Sequence, residues 1–157
     1  MTVGAARARA ANPATADVRI EVQIAASAPG IPRKAQLQRW ARAALGSRAQ
    51  VTVRIVDGRE ARALNRRYRH KDYATNVLSF AYASGRETLG DVVLCAPVVS
   101  REAREQHKPV DAHYAHLTVH GMLHLRGHDH ETAATARAME GREKRILRGL
   151  GYPDPYL

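Results

Sequence analysis

Seven of the eight histidines in this 157-residue chain lie between His107 and His130. In the densest stretch, HYAHLTVHGMLHLRGHDH, many of the positions between the histidines are apolar. Pro109 is well placed to open a helix there, and Gly127 to end it. The sequence therefore predicts a central, histidine-bearing helix over residues 109–126.

His120 and His124 are four residues apart on this predicted helix, so their side chains project from one face about one turn apart. Two imidazoles at that spacing are able to bind one metal ion. The turn after Gly127 is expected to bring His130 back toward the same point. Three imidazoles at about 2.0–2.1 Å leave a fourth position open for water, which is the arrangement of a catalytic zinc site. We therefore predict one zinc ion per chain, held by His120, His124 and His130.

Two other histidines and an aspartate compete for roles around this predicted site. His128 is the alternative third ligand to His130, because it sits closer to the helix end. His116 is about two turns from His124, too far to share an ion with it, so we expect it to support the ligands instead. Asp129 is expected either to accept a hydrogen bond from a liganding imidazole or to cap the last helix, and we favour the cap.

The residues between the two helical histidines argue against one class of zinc enzyme. In the H-E-x-x-H pattern of metalloproteases, a glutamate between the histidines acts as general base. Here the intervening residues are Gly121, Met122 and Leu123. A peptide hydrolase of that design would lack its base.

The charge balance favours a polyanionic partner. The chain has 25 Lys and Arg against 15 Asp and Glu, a net charge of +10. Nucleic acid is the commonest partner of so basic a small protein, although a generally basic proteome would give the same balance. Cys95 is the only cysteine, which excludes an internal disulfide and favours the reducing cytoplasm. No apolar stretch approaches the ~20 residues that a membrane-spanning helix needs, so we expect no membrane partner.

Hydrophobic periodicity predicts an α+β domain over residues 17–157, with a four-stranded mixed sheet covered by about five helices. Residues 1–16, rich in Ala and Arg, are expected to form a disordered basic tail. Asp57 is expected to cap the second helix. The predicted strands are 18–25, 51–56, 77–81 and 91–96, with a turn at 84–88, and the predicted helices are 35–45, 57–68, 97–106, 109–126 and 131–150. The residues partly in phase along the last helix are Ala134, Ala138, Ile146 and Leu147.

Four segments resemble the YbeY family of bacterial endoribonucleases. From His120 to His130 the chain reads His-Gly-x-Leu-His-Leu-x-Gly-x-Asp-His, which is similar to the family's signature. The block YRHKDYATNVLSF at 68–80, the pair Gly90-Asp91 before an apolar strand, and LGYPDPY at 150–156 extend the resemblance. It therefore covers about residues 17 to 157.

This resemblance implies that His120, His124 and His130 hold a metal, usually taken as zinc, and that Arg69 is a functional residue. It also implies a role in maturation of ribosomal RNA, notably the 3′ end of the small-subunit RNA, and in ribosome quality control. The implied partners are the RNA precursor, the small ribosomal subunit, and ribosomal proteins or assembly GTPases. The chain departs from the family at His70, where glycine is common, and at His128, where an aromatic residue is common.

Chemistry gives independent reasons for an RNA substrate. Zinc lowers the pKa of a bound water to about 7 and offsets charge on a phosphoryl oxygen. Arg69, in a polar loop predicted over 69–76, has the bidentate fork suited to a phosphodiester. Asp91 is expected either to orient a water or a supporting group, or only to hold the turn before its strand. The expected RNA-binding residues, on the first two helices and their loops, are Arg33, Lys34, Arg39, Arg42, Arg66, Arg67 and Lys71.

The leading hypothesis is a zinc-dependent single-strand endoribonuclease acting on ribosomal RNA. One alternative is a non-catalytic ribosome-assembly factor whose metal only shapes the fold. The other is a zinc hydrolase acting on peptides or small molecules, which the net charge of +10 and the missing helical glutamate disfavour.

Overall fold

The computed structural model describes residues 17–46, 48–82, 86–128 and 131–157. Within these ranges the chain forms four strands and five helices, which confirms the predicted α+β class. The elements are β1 (Asp17–Ala25), α1 (Lys34–Ala44), β2 (Arg48–Val56), α2 (Gly58–Arg69), β3 (Val77–Tyr82), β4 (Thr88–Cys95), α3 (Ala96–Glu105), α4 (Val110–Leu125) and α5 (Ala133–Gly149). The tail predicted for residues 1–16 lies outside the described residues.

The sheet has the strand order β1-β2-β4-β3 and is mixed, as predicted. β1 and β2 are parallel, as are β2 and β4, whereas β3 runs antiparallel to β4 and forms an edge. Alternation along β2 sends Val51, Val53 and Ile55 to one face. Helices α1 and α4 cover that face, and α5 packs against α4. Val56 points to the opposite face, where α2 packs.

Strands β2 and β4 begin three residues earlier than the hydrophobic pattern predicts, at Arg48 and Thr88. The two strands are in parallel register from Ala49 and Thr88 onward, so backbone pairing carries polar residues into the sheet. Of the turn predicted at 84–88, residues 84 and 85 lie outside the described residues and Thr88 already belongs to β4.

The cap predicted for the last helix is wrong. Thr132 rather than Asp129 is the N-cap of α5: its hydroxyl accepts a hydrogen bond from the backbone N–H of Thr135 at 3.1 Å, and the Thr135 hydroxyl accepts one from the N–H of Thr132 at 3.0 Å. This reciprocal pair starts the helix at Ala133 instead of residue 131. The cap predicted at Asp57 is confirmed, because its carboxylate accepts from the N–H of Glu60 at 2.9 Å.

No helix in the described ranges is long and apolar enough to cross a membrane.

Gly121 allows α4 to lie close against the sheet. A Cβ at this position would stand 2.7 Å from Cγ1 of Val92 on β4 and 3.3 Å from Oγ of Ser79 on β3. The Ser79 hydroxyl donates a hydrogen bond to the carbonyl oxygen of Gly121 at 3.1 Å, which only a close approach permits. Close packing of α4 against the sheet therefore explains why a glycine follows His120 in the motif.

We expect Gly121→Ala to lower the free energy of unfolding by about 1–3 kcal/mol, because the added methyl group overpacks a rigid valine contact. The control is Gly141→Ala within α5, where an added Cβ would meet no atom within 4 Å. That substitution should stabilise the protein by about 0.5–1 kcal/mol through helix propensity. Urea unfolding of both variants measures the difference. A Gly121→Ala protein as stable as the wild type would contradict the close approach.

Candidate metal centre

Helix α4 aligns four histidines along one side. His113, His116, His120 and His124 follow one another at spacings of three or four residues, which places them on one stripe. The ring centroids of His116 and His120 are 6.2 Å apart, and those of His120 and His124 are 4.7 Å apart. The other sides of α4 are buried against the sheet, α1 and α3. Apolar packing therefore fixes the helix, while His116 and His120 contact α5 and His113 contacts Glu102 of α3.

The rings of His120 and His124 turn their Nε2 atoms toward each other at a distance of 3.1 Å. Two nitrogens bound to one tetrahedral ion at 2.0–2.1 Å lie about 3.4 Å apart. The two rings therefore need to move apart only slightly to accept an ion between them. This pair of Nε2 atoms fits the first two positions of a zinc site.

A buried carboxylate holds the other nitrogen of His120. Glu143 on α5 has no exposed surface, and its Oε1 lies 2.5 Å from Nδ1 of His120. Its Oε2 lies 3.0 Å from Nε2 of His116 and also accepts a hydrogen bond from the hydroxyl of Tyr156. This contact between a carboxylate and the second nitrogen of an imidazole is the usual device that orients a metal-binding histidine.

The charge state of Glu143 fixes the tautomer of His120. Burial alone would raise the pKa of Glu143, but the hydrogen bonds from His116, His120 and Tyr156 outweigh it and lower the pKa to about 2. The carboxylate is therefore ionised and only accepts hydrogen bonds, so the His120 nitrogen facing it is the protonated Nδ1. Nε2 is then the lone-pair nitrogen of His120, and it is the atom that faces His124.

Among the described residues, His116, His120 and Glu143 form a group that could hold a metal ion, with their ligand atoms all within 4.8 Å of one another. The 2.5 Å between His120 Nδ1 and Glu143 Oε1 is a hydrogen-bond distance, well below the ~3.4 Å between two ligands of one tetrahedral ion. An ion inside this group would have to break those hydrogen bonds. An ion between His120 and His124 would leave them in place.

Gly127 ends α4, as the sequence predicts. Gly127 has φ of 90° and donates from its N–H to the carbonyl of His124 at 3.0 Å, and the N–H of His128 donates to the carbonyl of Leu123 at 3.0 Å. This pair of bonds is a Schellman motif, which requires a left-handed residue at the Gly127 position. His130 and Asp129 follow directly and lie outside the described residues.

Arg69 is the last residue of α2 rather than part of a loop. Its side chain is exposed, and Nη2 donates to the carbonyl oxygen of Ser79 on the edge strand β3 at 3.3 Å. The hydroxyl of the same Ser79 donates to Gly121, the neighbour of His120. One residue of β3 therefore links Arg69 to the helix that carries the histidines.

Asp91 does not lie beside the histidines. It points to the sheet face away from α4, together with its partner Phe80 and with Val93. Its side chain is buried, and Oδ2 accepts a hydrogen bond from the hydroxyl of Tyr82 at 2.6 Å. Burial raises the pKa of Asp91, against the opposing effect of that hydrogen bond. At this position Asp91 does not contact the described histidines, so it does not support the metal ligands as expected.

The predicted RNA-binding residues do not share one groove. All of them are exposed. Those of the first helix lie on α1 or its N-cap, on the α4 face of the sheet, whereas those of the second helix lie at the end of α2 on the other face. The residues on or before α1 are Arg33, Lys34, Arg39 and Arg42, and those at the end of α2 or just after it are Arg66, Arg67 and Lys71. The second set lies next to Arg69 in sequence.

Glu143 and Tyr156 are not among the predicted site residues. The buried face of α5 is Met139, Glu143 and Leu147, at spacings of four residues, while Ala134 and Ala138 are exposed. A carboxylate in phase with two apolar residues is the signal that marks Glu143 in the sequence. Tyr156 is part of the LGYPDPY segment and carries no periodic signal of its own.

A family model and two curated relatives identify the same family. A family model described as endoribonuclease YbeY matches residues 22–151. A protein named endoribonuclease YbeY from Thiobacillus denitrificans is 56% identical over 142 residues, covering 89% of this chain and 97% of that protein. One of the same name from Methylibium petroleiphilum is 60% identical over 126 residues, covering 80% of this chain and 84% of that protein. A solution structure from Thermotoga maritima is 22% identical with a TM-score of 0.48, covering 82% of this chain and 91% of that one.

Proposed function

Because the chain belongs to the endoribonuclease YbeY family, we propose that it is a zinc-dependent endoribonuclease that cleaves single-stranded regions of ribosomal RNA precursor. Its role would be maturation of the 3′ end of the small-subunit RNA and ribosome quality control. The observation that carries the proposal is the pair of Nε2 atoms of His120 and His124, 3.1 Å apart and backed by the buried Glu143.

The proposed ligands of the zinc are His120, His124 and His130. The tautomer of His120 and the position of Gly127 support this set, because the Nε2 lone pair of His120 faces His124 and the turn at Gly127 ends α4 three residues before His130. A zinc ion held by these residues would lower the pKa of a bound water and offset negative charge on a phosphoryl oxygen. Three imidazole ligands leave a position open, as catalytic rather than structural zinc sites do.

The proposed role of Arg69 is to hold the phosphodiester and stabilise charge on it. The 3.3 Å bond to Ser79 engages one nitrogen of an exposed guanidinium and restrains where the group points. An arginine fork bound to phosphate oxygens gives two parallel charge-assisted hydrogen bonds. The exposed side chains of Arg66, Arg67 and Lys71 near it in sequence supply further phosphate contacts.

The proposed partners are the ribosomal RNA precursor and the small ribosomal subunit, with ribosomal proteins or assembly GTPases as protein contacts, in the cytoplasm. The net charge of +10 supports a polyanionic partner. The basic residues of α1 and of α2 lie on opposite faces of the sheet, which supports assigning only the α2 set to RNA near Arg69. The α1 set would contact a separate part of the RNA.

One observation favours a second candidate, the non-catalytic assembly factor. Within the described ranges, the carboxylate in contact with the histidine pair is Glu143, and its oxygens already accept from three donors. It is therefore not placed to act as a general base. Metal removal separates this candidate from the enzyme.

We expect a chelator to abolish cleavage of a single-stranded RNA while the circular dichroism spectrum of the protein stays native, because the sheet and the α1–α4 core do not include the histidine pair. Added zinc should restore cleavage. His124→Ala should behave like the chelated protein. Cleavage that persists in both would exclude a metal-dependent nuclease, and unfolding on metal removal would favour the assembly factor.

We expect Arg69→Ala to retain zinc, fold and most RNA affinity, while cleavage falls by on the order of a hundredfold, as when one transition-state donor is removed. Arg69→Lys should recover only part of the rate, because an ammonium cannot form the fork. The control is Arg42→Ala, an exposed arginine on α1. The measurement is single-turnover cleavage at saturating RNA, and equal rates for the two alanine variants would show that Arg69 is only part of the basic surface.

A further inference from the structure

The C-terminal segment, residues 150–157, folds back onto the histidine side of α4. Gly151, with φ of 93°, ends α5 in a second Schellman motif, in which the N–H of Tyr152 donates to the carbonyl of Leu147 at 2.9 Å. The ring of Tyr152 then packs edge-on against Trp40, with centroids 6.0 Å apart. This reversal directs Tyr156 toward the middle of α5.

Tyr156 contacts both the carboxylate and a histidine of the candidate centre. Its hydroxyl donates to Oε2 of Glu143 and lies 3.3 Å from Nε2 of His116. Its ring meets the His116 ring edge-on, with centroids 5.3 Å apart. The Glu143 carboxylate therefore has one donor on Oε1, from His120, and two on Oε2, from His116 and Tyr156.

Separate contacts hold the segment in this position. The ammonium of Lys108 donates to the carbonyl of Pro155. The carboxylate of Asp154 accepts from the N–H of Tyr156 at 2.8 Å and lies 3.5 Å from the ammonium of Lys144. That ammonium is also 5.9 Å from the centre of the Tyr156 ring. The segment is thus held by Lys108 in the loop before α4, by Lys144 on α5, and by a hydrogen bond within the segment itself.

We propose that Tyr156 is a positioning residue for the metal centre and acts through Glu143. A glutamate side chain has three rotatable bonds. Its two histidine donors both come from α4, which leaves the carboxylate able to change its orientation. The hydroxyl adds a donor from a third element and fixes the plane of the carboxylate, so that Oε1 stays on Nδ1 of His120 and Nε2 keeps facing His124. The inference rests on the proposed metal site at His120 and His124.

The primary test is Tyr156→Phe, which removes the hydroxyl and keeps the ring that packs on His116. We expect its affinity for zinc, measured by competition with a chromogenic chelator, to fall about tenfold, at the lower end of the effect of losing an outer hydrogen bond at a metal site. The matched control is Tyr82→Phe, which removes a hydroxyl from another buried carboxylate, Asp91, on the opposite face of the sheet. Its zinc affinity should equal that of the wild type.

A double-mutant cycle with Glu143→Gln separates positioning from general weakening of the fold. Glu143→Gln alone should lower zinc affinity by about 10–100-fold. If Tyr156 acts through Glu143, adding Tyr156→Phe to that variant should change the affinity no further. Equal losses in both backgrounds, unchanged affinity in Tyr156→Phe, or an equal loss in Tyr82→Phe would each overturn the proposal.

His124→Ala tests the underlying metal site separately. If it loses zinc while Tyr156→Phe binds zinc as tightly as the wild type, the metal site stands and the role given to Tyr156 is wrong. If the wild-type protein binds no zinc, both the metal site and the role of Tyr156 are wrong.

Discussion

The charge on the buried Glu143 carboxylate is the constraint around which the histidine side of the fold is arranged. An ionised carboxylate without exposed surface is strongly destabilising unless every oxygen finds a donor. Glu143 finds its donors on α4 and on the C-terminal segment, in His116, His120 and Tyr156. These hydrogen bonds join α4, α5 and the end of the chain at one point. The same bonds select the tautomer of His120, so a requirement of stability also determines which nitrogen is presented to an ion.

The sheet sets where this arrangement stands relative to Arg69. Gly121 lets α4 settle against β3 and β4, and the Ser79 hydroxyl fixes that approach through the Gly121 carbonyl. Because β3 is the edge strand, the carbonyl of Ser79 is also within reach of Arg69 at the end of α2, which packs on the other face. The Arg69 side chain, from the helix on one face of the sheet, and α4, on the other face, therefore both contact Ser79 at the sheet edge. Under the proposed function, this edge is the place for a substrate that contacts both the arginine and the histidines.

Local signals in the sequence predict most of the fold and part of the site. Alternation identifies the four strands, the cap at Asp57 starts α2, and Gly127 ends α4, because each depends on residues within a few positions of one another. The pair His120 and His124 is of the same kind. Glu143 depends on a contact 23 residues away across two helices, and only its unusual position on the buried face of α5 hints at it. Local signals also do not predict which face of the sheet Asp91 and α2 occupy. Because β3 is antiparallel, the crossover rule for parallel strands does not determine on which face of the sheet α2 packs.

The central claim is that Glu143 orients His120 and does not itself bind the ion. The most direct measurement is anomalous diffraction at the zinc edge from crystals of the zinc-loaded protein. The account predicts an ion about 2.0–2.1 Å from Nε2 of both His120 and His124, with Oε1 of Glu143 still hydrogen-bonded to Nδ1 of His120. An ion bound by the carboxylate of Glu143 together with His116 would contradict it.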